Sequence, residues 1–194
     1  MKIAIVPTVR EIHNNQFDIS IDKRIFDLFN KVYDKKCSFK ILNGKNNLSN
    51  EKLMVILGGN SILKISRKKK DLIRSRLDSK YFLQAKNKKI KIIGICHGAQ
   101  FIADKFGSKL KKSQNHVKKN HQIEIGKKKY LVNSYHDYII SNYGKNIIPI
   151  GVCEDKSLEL FKISNHNIFG IMWHPERYQS FKRFDLKNLK EICN

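Results

Sequence analysis

GICHGAQFIADKFG, residues 94–107, is the stretch on which the reading of this chain turns. Residues 90–95, IKIIGI, are apolar enough for a strand buried on both faces, and they run directly into Cys96. From Gly98 the spacing becomes helical, with Phe101, Ile102 and Phe106 on one face and Gly107 as a stop. A strand that gives way so abruptly to a helix needs very small neighbours, and Gly94 and Gly98 flank the cysteine where they are required. Such a turn lifts the sulfur to the carboxyl end of a sheet, beside a helix N-terminus that favours thiolate. It also aims the next backbone N–H, that of His97, at a reacting carbonyl. A cysteine among apolar residues is more often a small buried hydrophobe. The two glycines at a strand–helix junction point instead to a nucleophile.

Working outward, residues 2–7, KIAIVP, read as a buried strand closed by Pro7, and residues 8–20 as a polar loop. Ile21, Ile25, Leu28, Phe29 and Val32 recur at helical spacing. Residues 37–42 alternate weakly, residues 52–57, KLMVIL, form a clear strand ending in GGNS at 58–61, and residues 72–86 read as a helix. Strands alternating with helices predict an α/β domain with a mostly parallel sheet. From Gln122 the pattern changes to short β-like pieces at 122–125, 130–132, 147–153, 158–163 and 168–172, which suit antiparallel hairpins. WHPE at 173–176 follows the last of them, and residues 184–192 predict a closing helix. No repeat or linker is visible, so residues 1–194 read as a single domain.

Hydrophobic residues make up 41% and charged residues 29%, which fits a soluble globular protein. Nowhere do about 18 apolar residues run together, and the first residues hold too short an apolar run for a signal peptide, so the expected location is the cytoplasm. The net charge of +22 would serve nucleic-acid binding if its lysines clustered on one face. They are instead scattered among Asn and Ile, which predicts a solvated surface attracting an anionic substrate, with neither nucleic acid nor membrane as partner. Cys37, Cys96, Cys153 and Cys193 are far apart, with no CxxC pair and no dense Cys/His run. Neither a metal site nor a disulfide is expected from them.

A cysteine nucleophile wants a base, and the base an orienting group. His174-Pro175-Glu176 offers both after a strand end, although six other histidines remain candidates, among them His116, His121 and His136 beside Asp137. A second oxyanion donor would come from a glycine turn after another strand, and Gly58-Gly59 fits, as it also fits an ordinary strand-ending turn.

Taken in order, VILGGNS, GICHGAQ, VNSYHDY and MWHPER resemble the class I glutamine amidotransferase-like hydrolases, in particular their γ-glutamyl hydrolase branch. The resemblance implies a flavodoxin-like fold, with a mostly parallel central sheet flanked by helices and a small antiparallel region in the C-terminal half. It implies that Cys96 is the nucleophile, His174 the general base and acid, and Glu176 the group orienting it. Gly59 and His97 would donate the oxyanion N–H groups, while Gln100, Ser134, Tyr135 and His136 would hold the γ-glutamyl moiety. No cofactor or metal is implied. IAIVPTVRE, IDKRIFDLF and NHVKKNHQIEI are most similar to the γ-glutamyl-CDP-amidate hydrolases of bacterial capsule phosphoramidate biosynthesis. That implies a small anionic γ-glutamyl substrate, with Arg10, Lys23, Arg24, His116 and His121 as candidates for its anionic half. Tyr138 stands where relatives often carry Gln. Two other readings stay open: a glutaminase subunit feeding ammonia to a separate synthetase, and a ThiJ/PfpI-like cysteine hydrolase, in which Glu11 rather than Glu176 would be the acidic partner.

Overall fold

In a computed structural model that describes residues 1–193, the chain divides into two compact units. One comprises Met1–Ile92 and the residues from Pro175 onward, the other Ile93–His174.

The first unit begins with β1 (Lys2–Val6), whose Ile3, Ala4, Ile5 and Val6 are fully buried, as its unbroken apolar run requires. Burying each of the larger of these side chains contributes roughly 1.5–3 kcal/mol. A hairpin follows, β2 (Thr8–His13) and β3 (Gln16–Ser20), turning at Asn15 with φ of 64°. It replaces the loop that the polar sequence predicts. The hairpin buries Val9 but leaves Ile12 and Ile19 exposed, so no alternating apolar face is written in it. Then come α1 (Arg24–Val32), β4 (Ser38–Ile41), β5 (Leu53–Ile56) and α2 (Lys69–Asn87). Strand β1 lies between β4 and β5 and pairs with both in parallel. Helix α2 starts a turn earlier than its apolar spacing indicates. Its first turn is polar, and buried Asp71 there accepts from the Ser61 amide (3.1 Å) and the Ser66 hydroxyl (2.5 Å).

Strand β6 (Lys91–Ile95) leads into the second unit and α3 (His97–Lys105). There follow β7 (Lys109–Lys112), β8 (Val117–Ile125), β9 (Lys128–Tyr135), β10 (Tyr138–Asn142), β11 (Ile147–Cys153), β12 (Leu158–Ile163) and β13 (Ile168–Ile171). The order within this unit is β6-β13-β12-β11-β8-β9, and the pairings among β8, β9, β11, β12 and β13 are antiparallel. Strands β7 and β10, which the sequence pattern does not reveal, pair antiparallel with each other. Back in the first unit, a 3-10 turn (Pro175–Arg177) precedes α4 (Arg183–Cys193), which packs with α1. The α/β class and the parallel-then-antiparallel plan are those expected. Among the described residues no helix is long and apolar enough to cross a membrane.

Candidate active site

Cys96 occupies the single residue between β6 and α3, with φ of 50° and ψ of −101°. A non-glycine residue in that region costs about 1–3 kcal/mol and persists only where its surroundings impose it. The imposition is visible on both sides of the cysteine. The Cys96 N–H donates to the carbonyl of Ile171, the last residue of β13, at 2.7 Å, and the Gln100 N–H donates to the Cys96 carbonyl at 3.0 Å. A Cβ on Gly94 would stand 2.3 Å from the carbonyl carbon of Gly98, so strand and helix meet there at a distance that only a glycine at position 94 permits. Cys96 is therefore both buried and strained. Helix α3 begins with His97, and first-turn amides point out of a helix's N-terminal end with partial positive charge.

His174 is buried three residues beyond Ile171, so the strand tied to the cysteine backbone is the one that leads to this histidine. Asn133 of β9 grips it in both directions: the His174 N–H donates to Asn133 Oδ1 and Asn133 Nδ2 donates to the His174 carbonyl, each at 2.8 Å. Two such bonds reproduce one rung of a β-ladder with a side chain. Tyr135, 45% exposed, lies edge-on to the imidazole, with ring centroids 5.7 Å apart. Asn133 is not among the expected site residues, although it sits inside VNSYHDY.

In the first unit, Gly59 has φ of 102°, and a Cβ there would meet Thr8 Cγ2 at 2.7 Å. The turn is clasped to β2: Thr8 Oγ1 donates to the Gly58 carbonyl at 2.6 Å, and Asn60 takes the Val9 N–H (2.9 Å) while donating to the Val9 carbonyl (3.0 Å). This is a built turn rather than an incidental strand ending. Glu176 is buried in the 3-10 turn, with Arg177 Nε 3.8 Å from its carboxylate. Arg24 braces the backbone there, donating through Nε to the Glu176 carbonyl at 2.8 Å and through Nη2 to the Tyr178 carbonyl. The expectation that Arg24 meets the anionic end of a substrate gives way to this structural role. Arg10 and Glu11 are exposed on β2, and Lys23 pairs with Asp27 on the surface.

The segment Ser134-Tyr135-His136 divides by direction. Successive residues of an extended chain face opposite ways, so Tyr135 turns outward while Ser134 and His136 turn in. The Ser134 hydroxyl donates to the His116 carbonyl, His136 Nδ1 lies 3.1 Å from the Tyr138 carbonyl, and His136 Nε2 lies 3.5 Å from Glu159. Gln100 Nε2 donates to the same Tyr138 carbonyl at 2.9 Å, which ties α3 to this segment. His116, His121 and His136 gather around buried Glu159, a grouping that no spacing in the chain foretells.

Residues 14–188 match the family model for class-I glutamine amidotransferases. A γ-glutamyl-CDP-amidate hydrolase of Campylobacter jejuni is 33% identical over 72% of this chain and 68% of its own. A glutamine-hydrolysing GMP synthase subunit from Methanosphaera stadtmanae is 27% identical over 74% and 76% respectively. The solved structure of a glutamine amidotransferase from Thermotoga maritima matches with a TM-score of 0.66 at 14% identity, over 90% of this chain and 76% of that one. With a match that spans most of its length and includes the cysteine elbow and the HPE segment, this chain belongs to the class-I glutamine amidotransferase family.

Proposed function

We propose that the chain is a single catalytic domain that hydrolyses a γ-glutamyl amide through a thioester at Cys96. The carrying observation is the strained elbow, whose backbone is bonded to the strand that leads to His174. Cys96 thiolate attacks the γ-carbonyl, and the developing oxyanion is held by the N–H groups of His97 and Gly59. Losing one such donor costs about 3 kcal/mol of transition-state stabilisation. His174, oriented by Glu176, protonates the departing nitrogen, which leaves with the rest of the substrate. The same histidine then takes a proton from water as that water attacks the thioester, releasing glutamate and restoring the thiolate beside a protonated imidazole. Tyr135 contacts the glutamyl end, while Gln100, Ser134 and His136 hold the segment that carries it.

For the leaving group we propose a cytidine-diphosphate amidate, acting in the cytoplasm in capsule phosphoramidate synthesis. The identity to the Campylobacter jejuni hydrolase supports this, and the +22 charge suits an anionic substrate. The test is glutamate release from a panel of γ-glutamyl amides, including γ-glutamyl-CDP-amidate and glutamine, by the native protein and Cys96→Ser. Release from γ-glutamyl-CDP-amidate above the others, abolished in the variant, is expected. No cysteine-dependent release from any member would overturn the hydrolase reading.

The likeness to part of a GMP synthase favours a second reading, in which the chain liberates ammonia from glutamine for a separate synthetase. Glutamine hydrolysis that appears only when a synthetase chain is added would decide for it.

A further inference from the structure

The residues around Glu159 form a second, separate arrangement. Glu159 on β12 is completely buried, and neither carboxylate oxygen receives a hydrogen bond. His116 Nδ1 and His136 Nε2 each lie 3.5 Å from its Oε1, and His121 Nε2 lies 3.4 Å from its Oε2. These separations are too long for hydrogen bonds to a carboxylate.

The far sides of two of these rings fix their tautomers. His116 Nε2 is 2.9 Å from Asp155 Oδ2, and a carboxylate only accepts, so that nitrogen carries the hydrogen. Asp155 is itself held by the Ser157 amide and hydroxyl. His136 Nδ1 faces the Tyr138 carbonyl, again an acceptor, so it too carries the hydrogen. In the neutral rings, His116 Nδ1 and His136 Nε2 then present lone pairs to an oxygen that also presents lone pairs. His121, 12% exposed at its side chain, makes no hydrogen bond through either ring nitrogen. Lone pairs converging in a dry interior call for a positive centre between them.

We propose that His116, His121, His136 and Glu159 bind a divalent transition-metal ion of the zinc class. Donors at about 2.0–2.1 Å from a tetrahedral zinc ion stand roughly 3.3–3.4 Å from one another, close to the three histidine–carboxylate separations. The donor atoms of His116, His136 and Glu159 lie within 4.8 Å of one another, and His121 approaches through the second carboxylate oxygen. The donor set of three imidazoles and one carboxylate suits zinc or cobalt rather than calcium or magnesium. Asp155 and the Tyr138 carbonyl supply the outer hydrogen bonds that ligating histidines require. One ligand carboxylate plus Asp155 balances the ion's two charges. Cys153 borders the cluster, and its thiol donates to the Gln122 carbonyl at 3.2 Å.

The scattered cysteines and histidines carry no sign of metal in the sequence, because the ligands come from separate segments that only the fold assembles. With four protein ligands the site is closed and structural, not catalytic. It pins the start of β8, the turn after β9 and β12 together. Through the Tyr138 carbonyl, which also receives Gln100 Nε2, it steadies the segment carrying Tyr135.

Tag-free full-length protein stripped with dipicolinate and titrated with Co²⁺ tests this directly. One equivalent should bind per chain with the visible absorption of a four-coordinate nitrogen–oxygen site, Zn²⁺ should displace it, and Zn²⁺ should raise Tm. Glu159→Gln and His121→Gln should each bind at least tenfold more weakly, while Cys96→Ser binds like the native chain. Should Glu159→Gln fail to fold, the more exposed His121→Gln carries the comparison. Absence of stoichiometric binding, binding undiminished in the cluster variants, binding lost in Cys96→Ser, or a Tm indifferent to Zn²⁺ would each overturn the proposal.

Discussion

In the first unit, Arg74 and Asp78 lie wholly buried on α2, and their polar atoms meet partners. Arg74 Nε donates to Asp78 at 2.8 Å, and Nη2 donates to the Leu57 carbonyl at 2.6 Å. In the second unit, Glu159 is as deeply buried, but its three imidazoles stop at 3.4–3.5 Å. Both clusters remove charge from water, and the desolvation cost is similar in kind. Only the first repays it with direct hydrogen bonds. A buried carboxylate surrounded by histidines is thus a different object from a buried carboxylate beside an arginine: arginine always brings its own charge, and an imidazole must borrow a proton or share a metal. Burial pushes the His116 pKa down, but Glu159 and Asp155 outweigh it and raise it overall. Burial likewise pushes the Glu159 carboxyl up, but the three histidines outweigh it and hold the group far below the ordinary range.

The comparison breaks most sharply at Arg74. Arg74→Met leaves Asp78 buried beside an apolar chain and should cost about 3–5 kcal/mol in urea unfolding, whether or not Zn²⁺ is added. Glu159→Gln should cost less in stripped protein, about 1–3 kcal/mol, since the amide removes the buried carboxylate charge instead of leaving it unpaired. It should also lose the Zn²⁺-dependent gain in Tm. Equal losses for the two variants in stripped protein would erase the distinction between the clusters.

Glu51 offers a milder version of the complete kind. Burial would raise its pKa, but the Ser49 amide at 2.6 Å and Lys40 Nζ at 3.0 Å lower it overall. A depressed carboxyl contributes stability above its unfolded pKa and loses it as pH falls through the folded value. Glu51→Gln should therefore cost roughly 1 kcal/mol at neutral pH and flatten the acid limb of the stability profile, measured by urea unfolding from about pH 7 down to about pH 3.

The smallest effect is a labelling rate. Burial, then the charges of Glu159 and Asp155, push the Cys153 thiol up to about 11. Iodoacetamide at neutral pH should spare Cys153 and modify Cys96, read by peptide mass mapping. Filling the cluster with Zn²⁺ offsets the neighbouring negative charge and should hasten Cys153 labelling. A Cys153 rate unchanged by Zn²⁺ would show that its thiol does not sense the cluster.

The elbow is legible in the sequence because its cause is local: two glycines, an apolar run and a helical period all fall within residues 90–107. The parallel strands are legible for the same reason, since each is a short continuous apolar run. The hairpin β2–β3 is not, because its role is to clasp the glycine turn through Thr8, Val9 and Asn60, contacts made across some fifty residues of sequence. The expected roles of Ser134 and His136 illustrate a second limit. A resemblance treats VNSYHDY as one segment, whereas strand alternation sends Tyr135 one way and its two neighbours the other. Arg24 illustrates a third: a surface-looking cation proves to be a brace for three backbone carbonyls.

Asn133 grips His174 through its main chain, and that has a consequence for repair. The strand end does not depend on the imidazole for these bonds, so His174→Ala should keep its backbone course and leave a ring-shaped vacancy. Free imidazole diffusing into that vacancy should restore part of the lost turnover, saturably and in step with the fraction of imidazole that is unprotonated. On the proposed mechanism, the His174 imidazole would then behave as a detachable part seated in a permanent socket.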